Sequence, residues 1–184
     1  LFIAYRPAGM VTTMKDPEGR PTVAELLPDR TVRMFPVGRL DFDAEGALLF
    51  TDDGELAQRL THPRFHAPKL YLVKVKGEPT DQALDKMRKG VRLDDGKTKP
   101  CNVMRVSKAK KNTWVEVELT EGRYRQIKRM FWKIRHPVMR IVRVSVAGIS
   151  AEGMEAGTIR LCSEAERELA YAWADGAKAE DEKN

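Results

Sequence analysis

Cysteine and histidine are both scarce in this sequence. Its two cysteines, Cys101 and Cys162, form no CxxC pair, and only three histidines occur in 184 residues. A disulfide framework is therefore excluded as the source of stability, and both cysteines read as small apolar fillers in a reduced, cytoplasmic protein. His62 and His66 share i, i+4 spacing, which by itself allows a metal pair, but Pro63 lies between them. No run approaches the roughly 20 apolar residues of a membrane span, so no membrane partner is expected. No signal-peptide pattern is present, and no glycine-rich nucleotide-binding motif appears. The chain opens on Leu1 inside an apparent strand, LFIAY, so residues upstream of it are expected.

What is present suffices for one substantial core or for one domain with two lobes: 42% of residues are hydrophobic. Charged residues make up 33%, with a net charge of +6. That balance fits either a well-solvated surface or a polyanion partner. LFIAY, ALLFT, KLYLVKVKG, CNVMRVSKA, TWVEVELT, IVRVSVAGI and GTIRLCS read as strands. VAELL, GELAQRL capped by Asp53, DQALDKMRK between Thr80 and Gly90, residues 123–135 and SEAERELAYAWA read as helices. DGAKAEDEKN reads as a charged, disordered tail. Strands and helices do not alternate as βα units, so the fold class is α+β with a largely antiparallel mixed sheet and flanking helices.

The clearest physical signal is RYRQIKRMFWKIR. Ile127, Met130, Phe131 and Ile134 make one apolar stripe, and Arg125, Arg129 and Lys133 fall on the opposite face. Lys128 lies beside the stripe, where its stem can run along apolar surface and carry the ammonium inward. Arg123, Arg125, Lys128, Arg129, Lys133, Arg135, Arg140 and Arg143 have only Glu121 nearby. A second basic group is Lys108, Lys110 and Lys111. An amphipathic helix with a solvated face would look similar, but this density suits phosphate contacts. VGRLDFDAEG holds Asp41, Asp43 and Glu45 between Gly38 and Gly46. These acids can be read as a divalent-metal cluster, as loop solvation, or as one functional carboxylate near Arg39; the glycine and terminal glutamate of a calcium loop are missing.

GRLDFDAEGALLFTDDGELAQRLTHP resembles the signature of the RsuA-type rRNA pseudouridine synthases. The likeness continues at YRPAG, KLYLVKVKG, GVRLDDGKTKP, and EGRYRQIKRMF followed by HPV, to about Glu168. Two departures stand out: Arg6 where lysine is usual, and Ala44 where threonine or serine is usual. The resemblance implies a pseudouridine synthase fold with two lobes and an active-site cleft between them. The catalytic domain is expected over residues 1–170, with a helix end and charged tail over 171–184, and an S4-like RNA-binding module can precede it. The implied reaction converts a specific uridine of ribosomal RNA to pseudouridine, with no metal or organic cofactor, in a protein expected to be monomeric.

By the same resemblance, Asp41 is the essential carboxylate, which attacks the sugar or removes a sugar proton. Lys128 is the base set against Asp41, and Tyr71 stacks on the flipped base and takes its carbon-bound proton. Ile127 packs on the uracil, and Arg39 fills the stack or holds a phosphate. Arg123, Arg125, Gln126 and Arg129 are candidate RNA contacts. EGRYRQIKRMF leans towards a small-subunit target. A non-catalytic RNA-binding ribosome-assembly factor would share the basic helix but has no need of Asp41, Tyr71 and Lys128 together. A nuclease using Asp41, Asp43 and Glu45 would depend on metal.

Overall fold

The structure is a computed structural model describing residues 1–65, 67–109 and 111–181. His66 of the His62–His66 pair and Lys110 of the second basic group therefore lie outside the described residues. The strands are β1 (Phe2–Arg6), β2 (Phe35–Val37), β3 (Glu45–Thr51), β4 (Lys69–Lys76), β5 (Arg92–Leu93), β6 (Gly96–Lys97), β7 (Asn102–Ala109), β8 (Asn112–Leu119), β9 (Val138–Val146), β10 (Ile149–Ser150) and β11 (Ile159–Leu161). The helices are α1 (Gly54–Thr61), α2 (Asp81–Arg88), α3 (Gln126–Lys133) and α4 (Glu164–Asp181).

One sheet runs β11-β1-β3-β9-β4-β8-β7, with β2 on β3 and β10 on β9. Its ladders are antiparallel except where β3 meets β9, which pair in parallel through Glu45 with Val142 and Gly46 with Arg143. This short joint divides the sheet into two halves with separate cores. On one side Val73, Val75, Val115 and Val117 pack against Leu84 and Met87 of α2 and Ile127, Met130 and Phe131 of α3. On the other, Ile3, Ala47 and Leu49 pack against Leu56 and Leu60 of α1 and Ala170 and Ala174 of α4. The opposite face of β1 and β3 places Ala4, Leu48 and Phe50 against Val23, Leu26 and Met34. β3 is thus covered on both faces, which is why ALLFT shows no polar alternation. β8 has one wet face, and Thr113, Val115, Val117 and Leu119 alternate inward.

The α+β architecture and its largely antiparallel mixed sheet agree with the sequence reading, while three local readings need correction and one hairpin is added. VAELL forms a single 3-10 turn, Val23–Leu26, held by the Thr22 amide donating to Glu25 Oε1 at 3.1 Å. α3 begins only at Gln126, because Arg125 takes a left-handed conformation with φ 45°. A hairpin, β5–β6, occupies LDDGK, where Gly96 at φ 113° makes the bend. The tail is not irregular: α4 continues through Gly176 to Asp181. The alanines of AYAWADGAKAED are strong helix formers, and Ala170 and Ala174 anchor the helix at i, i+4. Among the described residues no helix is long and apolar enough to cross a membrane.

Candidate active site

A cleft of about 610 Å³ opens beside the β3–β9 joint. Its wall is built from the loop between β2 and β3, from β4 and β9 beneath, and from α3 with the segment preceding it. Asp41, Tyr71, Lys128, Arg39, Ile127, Arg123 and Gln126 all line it; Arg125 and Arg129 do not. The size falls in the range of small-ligand sites.

The loop carrying Asp41 is held from below by Arg6, whose residue is 0% exposed. Its Nη1 donates to the carbonyls of Met10 at 2.6 Å and Leu40 at 3.3 Å, and its Nη2 donates to Asp41 O at 2.6 Å and to Ala44 O. Thr12 Oγ1 adds a bond to Leu40 O at 3.0 Å, and the Gly9 amide one to Phe42 O at 2.7 Å. The YRPAG turn is therefore the cradle of the acidic loop. Burial and the neighbouring Arg143 lower the Arg6 pKa to about 10, while Asp41 and Asp43 oppose that shift.

The three carboxylates of the loop do not converge. Glu45 accepts from Tyr5 at 2.7 Å and from Arg140 at 2.6 and 3.1 Å, and Arg140 holds it below its ordinary range against burial. Asp43 points outward and pairs with Lys128. Burial acts to raise the Asp43 pKa, but the hydrogen bond and charge of Lys128 prevail and lower it. This corrects the expectation that Lys128 faces Asp41: the lysine does lie half-buried beside the apolar stripe, but its ammonium is given to Asp43. The Asp41 carboxylate makes neither a hydrogen bond nor an ion pair among the described residues. The other acid of the cleft wall, Glu121, is committed to the Lys99 amide, Gln126 Nε2 and Arg123 Nε.

The basic helix is likewise less free than its sequence suggests. Arg129 pairs in a fork with Asp95 at 3.0 and 3.0 Å, and Arg123 donates to Gly96 O and Lys97 O at 3.2 and 2.7 Å. Both fasten the β5–β6 hairpin to the start of α3. Gln126 is buried and accepts from the Arg123 amide at 3.0 Å, so it braces the same turn. Arg125 and Arg39 remain exposed. Tyr71 is half-buried on β4, and its hydroxyl has no hydrogen-bond partner among the described residues.

Of two cations on the cleft floor, the sequence reading counted Arg143 only within the general basic density, without its burial, and did not mark Lys69 at all. Arg143 is 2% exposed; its Nε donates to Ala47 O at 2.8 Å and its Nη1 to Arg39 O at 3.1 Å. Its place two residues after the buried Ile141 on one strand was the available signal. Lys69 donates to Ala67 O at 3.2 Å, and burial, reinforced by Arg143, lowers its pKa to about 8.

The model of the RNA pseudouridylate synthase family matches residues 1–133. A Bacillus subtilis protein named ribosomal large subunit pseudouridine synthase B is 36% identical, over 96% of this chain and 73% of that protein. A Xanthomonas campestris protein named ribosomal large subunit pseudouridine synthase E is 38% identical, over 88% of this chain and 94% of its own. A crystal structure of a pseudouridylate synthase superposes with a TM-score of 0.83 at 29% identity, covering 92% of this chain and 72% of that one.

Proposed function

Because this chain belongs to the RNA pseudouridylate synthase family, we propose that it isomerises a specific uridine of ribosomal RNA to pseudouridine, using Asp41 as the carboxylate that acts on the sugar. The observation carrying the assignment is that Asp41 is the acid of the cleft wall whose carboxylate has no hydrogen bond and no ion pair among the described residues, on a loop pinned by Arg6. Asp43 and Glu45, by contrast, are already committed to Lys128 and Arg140. The same pairing argues against a metal-dependent nuclease built on the three acids, since two of them already have cationic partners.

Tyr71 presents its ring and a free hydroxyl to the cleft, which suits stacking on an extruded base and accepting its C5 proton. Ile127 supplies an apolar wall. Arg39 on the cleft wall and Arg125, which immediately precedes α3, are both exposed and suit phosphate contacts. Arg123, Gln126 and Arg129 act through the hairpin and helix they hold. For the target, the motif EGRYRQIKRMF leans to the small subunit, whereas the named relatives share 36–38% identity over most of the chain and bear large-subunit names. The longer match weighs more, so large-subunit RNA is the first substrate to test.

In the deciding experiment, RNA carrying tritium at uridine C5 is incubated with the chain and with Asp41→Asn. Wild type should release tritium; the variant should release none while its RNA affinity stays within a few-fold, since shape is kept and only charge is removed. Binding without release by the wild type would favour an assembly factor, and turnover by Asp41→Asn would remove Asp41 from its role.

A further inference from the structure

Lys69 and Arg143 sit on adjacent strands of the cleft floor, with Tyr71 between them in the register. Tyr71 is the cross-strand partner of Arg143, and Lys69 precedes Tyr71 by two on β4; all three line the cleft. The two cations are close enough for the charge of Arg143 to disfavour protonation of Lys69. Among the described residues no acid pairs with either one. Lys69 reaches one carbonyl, and Arg143 spends Nε and Nη1 on two others, leaving a buried Nη2 with no partner among the described residues. Burying two like charges and one unsatisfied N–H is unfavourable, and an anionic group entering the cleft would relieve it.

We propose that Lys69 and Arg143 form a cationic floor that stabilises the uracil ring while it is detached from the ribose. This rests on the isomerase reading. When the N1–C1′ bond breaks, the electron pair stays with uracil, so the ring carries negative charge shared by N1, O2 and O4. Meanwhile Asp41 holds C1′ as an ester, or holds the proton it took from the sugar. That ester bond breaks, or that proton returns, as C5–C1′ forms. The C5 proton then leaves to a base while N1 takes up a proton. A charge that exists only in the detached interval is best met by fixed donors in a water-poor site. A backbone phosphate carries charge too, but it would meet the exposed Arg39 before reaching the buried floor. The other charged groups of the cleft wall are Arg39 and Asp41 on the loop, Glu121 and Arg123 after β8, and Lys128 on α3.

Single-turnover tritium release at saturating enzyme tests this on wild type, Lys69→Met and Lys69→Arg, each checked for a wild-type melting transition. Lys69→Met should be about 100-fold slower, with RNA affinity within about threefold and an unchanged salt slope of binding. Wild-type rate should decline above about pH 8 as Lys69 loses its proton; Lys69→Arg should recover most of the rate and no longer show that decline. A purely structural lysine would move neither the pH profile nor the rescue. Normal release by Lys69→Met overturns the proposal, and so does weakened affinity with a shallower salt slope at normal rate, which would make Lys69 a phosphate contact. Absence of release by wild type would overturn the isomerase reading itself, and this proposal with it.

Discussion

Arg6 illustrates how a residue can serve a site it never enters. The chain positions Asp41 through main-chain carbonyls, and one guanidinium collects four of them from two segments. Truncation to methionine keeps the stem but leaves buried carbonyls without donors, at roughly 1–3 kcal/mol each. Arg6→Met is therefore expected to lose at least about 3 kcal/mol in denaturant unfolding. Arg6→Lys should recover part of that, because an ammonium offers three donors without the planar fork. A wild-type unfolding midpoint for Arg6→Met would show that the loop supports itself. Sequence reading noticed Arg6 only as an unusual replacement for lysine. Lys128 was legible as inward-leaning from its position on the helix. Its partner was not, because the turn that closes from the Ala44 amide to Asp41 O decides which aspartate of DFD faces the helix. Arg129 was read as solvent-facing; its fork to Asp95 depends on a hairpin that the periodicity did not reveal.

At the scale of elements, the strands were well marked, since β-branched alternation and buried apolar runs leave few other readings. What the sequence concealed was how two of them meet. Gly46 lies where β3 touches β9, at φ 109°, and a Cβ there would stand 2.2 Å from Arg143 O and 2.8 Å from Arg143 N. Neither atom is a side-chain tip that could swing away. Gly46→Ala must push the strands apart or strain both, so a loss of about 2 kcal/mol or more is expected in thermal unfolding. Because Arg143 also holds Arg39 O, the same change should impair isomerisation beyond its effect on stability. A variant as stable and active as wild type would mean that β3 and β9 do not approach this closely.

For the whole molecule, charge placement makes stability depend on pH in a direction opposite to that of a surface lysine. Burial lowers the Lys69 pKa from 10.5 to about 8. Below about pH 8 both folded and unfolded chains hold this proton, and its burial weighs fully against folding. Between about pH 8 and 10.5 the unfolded chain keeps a proton the folded one has shed, so stability rises with pH, by at most about 1.4 kcal/mol per unit. Above both values the gain is constant. Unfolding free energies of wild type minus Lys69→Met across this window should show that rise; a flat difference would mean Lys69 is solvated.

The central position of β9 has a consequence for how the molecule is made. β3 and β4 are its neighbours in the sheet, yet β9 spans Val138–Val146 and follows every other strand except β10 and β11. A nascent chain that has emerged only to residue 133 has β1–β3, β4–β8 and the entire acidic loop. It lacks the strand that joins the two groups, as well as β11 and α4, which complete the first of them. It would present the flanks of β3 and β4 as two open edges, ready to pair with any extended segment nearby. Arg143, which fastens Arg39, arrives on that same late strand. The cleft is therefore incomplete until β9 has emerged, and one strand, entering between β3 and β4, joins its two walls.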